Sequence, residues 1–121
     1  MSDAVDCIQR LRELAEENER LSQQLIETEK ELEPVQAQVD DFIGNYQIGL
    51  WTRSQDEKDF KLPAEALRIL LAQKAMPPEL LGRHRGLLAA KERLETRIRH
   101  VKTQVDAQRS ILSAMKEGLV T

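Results

Sequence analysis

The sequence predicts an all-α fold in which one long helix pairs with a second as an antiparallel hairpin or coiled coil. Three observations carry the prediction. A seven-residue apolar register holds from Ala4 to Tyr46, a second register occupies the C-terminal third, and the two segments have opposite net charge. In the first register the a positions read Ala4, Leu11, Asn18, Leu25, Leu32, Val39 and Tyr46, and the d positions read Cys7, Leu14, Leu21, Thr28, Val35 and Phe42. A strict period of seven makes a narrow stripe, which is buried only against other long helices bearing a similar stripe.

Composition agrees with long solvated helices. Of 121 residues, 40% are hydrophobic, only 3% aromatic and 32% charged, with Leu, Ala, Glu, Arg and Gln dominant. The chain reads as a single helical domain, residues 1–121. The net charge of −3 conceals an asymmetry: residues 1–47 carry 12 acidic and 4 basic side chains, and residues 77–121 carry 5 acidic and 9 basic. Opposite signs favour pairing of the two segments and disfavour self-pairing of either one. The acidic N-terminus Met1–Asp6 is unlike a secretory signal, and no apolar run approaches the roughly 18 residues of a membrane span. A cytoplasmic protein is expected.

The first helix is expected over residues 3–47, capped by Ser2 or Asp3, with Asp6 in the first turn where the helix dipole favours an anion. Asn18 is read as a buried amide that fixes register and partner number, set among the apolar neighbours Leu11, Leu14, Leu21 and Leu25. Pro34 removes a backbone donor, yet the register runs through it from Leu32 to Val35 and Val39. A kink is expected there and not a chain reversal. The elbow, residues 48–62, follows. All four aromatics, Phe42, Tyr46, Trp51 and Phe60, lie at or beside it, together with Gly44 and Gly49. The β-formers in Tyr46–Thr52 and Phe60–Leu62 leave two alternatives open, a small β-hairpin or an irregular loop.

A short helix is expected over residues 63–75, opened by Pro63 and ended before Pro77. The long helix 78–117 carries the second register. Its d positions are Leu80, Leu87, Leu94, Val101, Gln108 and Met115, and its a positions are His84, Lys91, Ile98, Val105, Leu112 and Leu119. Gly82 and Gly86 mark either a break or a close backbone approach, and Lys116 with Gly118 are stop signals. At 1.5 Å per residue, Ala4–Tyr46 spans about 64 Å and Gly86–Glu117 about 48 Å, so part of the first seam is left for a second chain and at least a dimer is expected.

Candidates for chemistry are few. Cys7, the single cysteine, sits at a d position as a small buried hydrophobe, which excludes an internal disulfide. The acidic clusters Glu16-Glu17-Glu19 and Glu27-Glu29-Glu31-Glu33 alternate around the helix, as a solvated face does and a metal site does not. No catalytic, cofactor or metal residue is assigned. The reading is a non-enzymatic protein-interaction module, an oligomeric coiled-coil adaptor, chaperone or secretion-system component. Its partner-binding residues are Trp51, Phe60 and Tyr46, because aromatics remove much surface from water at little entropic cost. One alternative is a nucleic-acid-associated protein using Arg83, Arg85, Arg97, Arg99 and Lys102. Another is a structural subunit of a larger assembly.

The layout of two long helices flanking a β-hairpin resembles a prefoldin subunit, from which the proline-bounded helix departs. In size and acidity the chain is also similar to small helical export chaperones of flagellar and type III secretion systems. Both likenesses imply a protein-binding, non-catalytic role.

Overall fold

A computed structural model describes residues 3–118. They form three helices: α1 (Asp3–Asp56), α2 (Glu65–Ala75) and α3 (Pro78–Lys116). Among the described residues there is no strand, and no helix is long and apolar enough to cross a membrane. Ser2, an expected cap, and Leu119, an expected seam position, lie outside them.

Two boundaries depart from expectation. The first helix continues nine residues past 47, so Tyr46–Thr52 is helical and the β-hairpin, with the strand pairing on which the prefoldin likeness rested, is absent. Strand propensity counts only where a partner strand exists to be packed against. Here the partner would be Phe60-Lys61-Leu62, three residues cut off by Pro63. The helix instead gains local support: Phe42 and Tyr46 stack at i,i+4 with ring centres 6.3 Å apart, the Ser54 hydroxyl donates to the Trp51 carbonyl (2.6 Å), and Arg53 Nε meets Glu57 at 2.9 Å. Pro63 does not open α2. Ala64 is its N-cap residue, whose carbonyl accepts from the Arg68 amide (3.0 Å), and the helix starts at Glu65.

The unreversed course through Pro34 and the ends of α2 and α3 are as expected. Pro34 lies inside α1 without reversing the chain. The helix α2 ends where Met76, extended at ψ 140, precedes Pro77. The helix α3 ends as its stop signals imply, with Gly118 at φ 73 and its amide donating to the Met115 carbonyl (3.1 Å). Gly82 and Gly86 mark neither a break nor a close approach. Both lie within α3, and a Cβ at either would meet nothing within 4 Å.

The described residues form two compact units, 3–29 with 90–118, and Lys30–Ala89. In the first, α1 and α3 pack as an antiparallel helical hairpin. Leu14 and Leu21 are fully buried against Val101, with Leu94, Ile98 and Val105 packed around them. Cys7 is buried with its thiol 3.1 Å from the Gln108 carbonyl oxygen, and Arg97 meets Glu17 at 3.6 Å. Thus position 7 lies by 108, 14 and 21 by 101, and 17 by 97, which is the antiparallel order. The polar d residue Thr28 is accommodated by donating its hydroxyl to the Gln24 carbonyl (2.9 Å). In the second unit Leu32, Val35, Val39, Ala72 and Met76 are buried, and His84 Nε2 donates to the Gln36 amide oxygen at 2.6 Å.

Candidate functional site

Past Tyr46 the register of α1 loses its apolar content while the helix goes on. The next d and a positions are Gly49, Arg53 and Asp56. The large side chains of this stretch, Ile48 and Trp51, therefore fall at c and f, on the face turned away from a seam, and both are exposed, Trp51 to 57%. Together with Gly44, Gln47, Leu62 and Arg68 they line an open groove of about 450 Å³ in the second unit. Leu67 and Leu70, one turn apart on α2, are exposed as well. Five of the ten large exposed hydrophobic residues among those described thus lie between positions 48 and 70.

The groove is held by local bonds. Glycine at 44 keeps its floor free of a side chain, and a Cβ there would meet nothing within 4 Å. Arg68, at its wall, is oriented by donating from Nη1 to the Pro63 carbonyl at 2.8 Å, so the loop before α2 and the first turn of α2 are tied together. Residues 57–60 are turned by the Glu57 amide bonding to the Arg53 carbonyl (2.9 Å) and the Phe60 amide to the Glu57 carbonyl (3.2 Å). Phe60 is half-buried beneath the Arg53 guanidinium, 4.2 Å from its ring centre.

The residues expected to bind a partner are therefore not one cluster. Trp51 faces solvent at the groove, Phe60 is occupied by Arg53, and Tyr46 is half-buried against Phe42. Ile48, Leu62, Leu67 and Leu70 were missed as surface residues, although their positions off the register carried the signal for Ile48.

The register residues divide by position. Leu14 and Leu21 are fully buried, and Leu11 and Leu25 are half-buried. Asn18 is exposed within the chain and not buried, because the single helix packed against this part of α1 covers d more fully than a. Of the basic residues, Arg83, Arg85, Arg97, Arg99 and Lys102 are all exposed. At 100° per residue they fall around α3 without forming one stripe. Arg97 is paired with Glu17, and Arg99 donates to the Thr96 hydroxyl at 3.2 Å. Among the described residues no group of three or more His, Cys, Asp or Glu is placed to hold a metal ion.

The class defined by these features is an all-helical protein with a hairpin-packed seam and an exposed apolar groove beside it in the chain. No protein-family model, curated protein or solved structure matches the chain.

Proposed function

We propose that this chain is a non-enzymatic protein-interaction module, an oligomeric coiled-coil adaptor or chaperone acting in the cytoplasm, whose groove at the elbow takes the apolar face of an amphipathic helix from another protein. The observation that carries the reading is Trp51. An indole more than half exposed on a helix, beside Ile48 and Leu62, is costly to hold in water and is among the side chains most enriched at binding hot spots. A helix ligand fits an open apolar groove because its own side chains at i, i+3/i+4 and i+7 make a matching ridge. Gln47 and Arg68 at the rim supply polar groups that orient such a ligand.

A photo-crosslinking side chain placed at Ile48, compared with one at the exposed polar position Arg12, tests the reading in the host. A protein captured at 48 and not at 12, with its affinity lowered by about 2 kcal/mol or more in Trp51→Ala, is the expected result. Equal capture at both positions, or capture indifferent to Trp51→Ala, contradicts it.

A further inference from the structure

The first unit carries more apolar surface than its hairpin uses. A two-helix seam needs apolar residues at a and d alone, whereas a helix in a larger bundle adds the e position. On α1 the e positions include Ile8 and Ala15, and Ile26 follows at b. Ile8 is 41% exposed and Ile26 46%, and with half-buried Leu11 and Leu25 they lie in one sector of about 100° on the helix. Within this sector, Ala15 and Asn18 of α1 share a groove of about 330 Å³ with Ile98, Val105, Lys102, Arg109 and the single acid Asp106 of α3. Asn18, the polar residue in an otherwise apolar a row, therefore borders a face that the chain itself leaves open.

We propose that this face is covered by a second copy of the same chain, the two hairpins packing as a four-helix dimer with Asn18 enclosed at their interface. Charge selects the occupant. In the first unit the described part of α1, residues 3–29, carries 8 acidic and 3 basic side chains, and that of α3, residues 90–118, carries 4 acidic and 7 basic. Among the described residues, Glu19 and Glu29 beside the apolar sector and Lys102 and Arg109 at the groove take part in no ion pair. A second copy related by a two-fold axis brings an acidic α1 to each basic α3, so every such contact is made twice. The face is self-complementary, and a buried Asn in each copy fixes the register of association. This deepens the oligomeric part of the proposed function and is independent of the elbow groove.

Sedimentation equilibrium of the full chain from about 1 to 100 μM tests it, with dimer expected to dominate in the upper part of that range. Ile8→Glu with Ile26→Glu is expected to weaken self-association at least about tenfold at unchanged helicity, since neither side chain belongs to the hairpin seam. Lys102→Glu with Arg109→Glu, which replaces only exposed side chains, is expected to weaken it by a similar factor of about ten and serves if the first variant misfolds. A chain that is monomeric throughout, or a dimer indifferent to the charge-reversed variant, overturns the proposal. Trp51→Ala is expected to leave the dimer intact. Loss of the dimer in that variant would move the self-contact to the elbow and overturn this assignment too, whereas a monomeric wild type leaves the elbow reading standing.

Discussion

The two units use their apolar residues differently. The first hides Leu14, Leu21 and Val101 on its seam, leaves Ile8 and Ile26 exposed beside it and contains no aromatic residue, whereas the second buries Leu32, Val35 and Val39 on the same register and leaves a larger set, Ile48, Trp51, Leu62, Leu67 and Leu70, exposed off it. Both halves of α1 are helical, so secondary structure does not separate them. Register does. Up to Tyr46 the seven-residue period brings apolar side chains to a common face, where a partner helix covers them. Beyond it Gly49, Arg53 and Asp56 hold the seam positions, and the large side chains are carried on the outside. Apolar residues on the period build the molecule, and those off it are left for something else to cover.

That contrast can be broken from either side. The largest effect is expected in the seam: Leu21→Ala should lower unfolding free energy by about 3 kcal/mol, read by thermal or urea denaturation, because Leu21 is fully enclosed and its removal leaves a cavity. A loss below about 1 kcal/mol would mean that the hairpin relaxes around the site and that the two units are alike in rigidity. Trp51→Ala is expected to cost less, about 1 kcal/mol in the same assay, since more than half of its surface stays in water. Gly86→Ala sharpens the comparison with a gain, about 1 kcal/mol, since the residue is interior to α3 and a Cβ there meets open space. A loss on that substitution would show that a backbone approaches Gly86 after all. The smallest effect is expected for Arg97→Ala, about 0.5 kcal/mol or less, because its pairing with Glu17 at 3.6 Å is largely in solvent. A fall in retention on nucleic acid in that variant, with salt dependence to match, would favour the alternative reading of α3.

Much of this arrangement was legible in the sequence. Apolar spacing located the seam, opposite charge implied the pairing of α1 with α3, and the prolines at 63, 77 and 78 bracketed α2. What was not legible came from weighing local preference against context. Tyr46–Thr52 contains good strand formers, and two glycines each costing about 1 kcal/mol in a helix argued the same way. The cost is outweighed by extending a helix already formed, since adding a residue to an existing helix needs no new nucleus. Asn18 was misplaced for a different reason. A heptad pattern assigns residues to a face without saying how many helices cover it, and one helix covers d here while a stays partly open. Arg53 over Phe60 had no signal at all, because it depends on a turn at 57–60 that only the folded backbone defines.

Trp51 is the single tryptophan of the chain, and its fluorescence therefore reports directly on whether the off-register face is surface or core. The free protein is expected to show the red-shifted emission of a water-exposed indole, freely quenched by acrylamide, and to keep that spectrum when Leu21→Ala loosens the seam. Emission should move to the blue and lose its quenching only when a partner occupies the groove. A blue, protected emission from the free protein would contradict the account, because Trp51 would then be part of the fold and the elbow would have no anchor to offer.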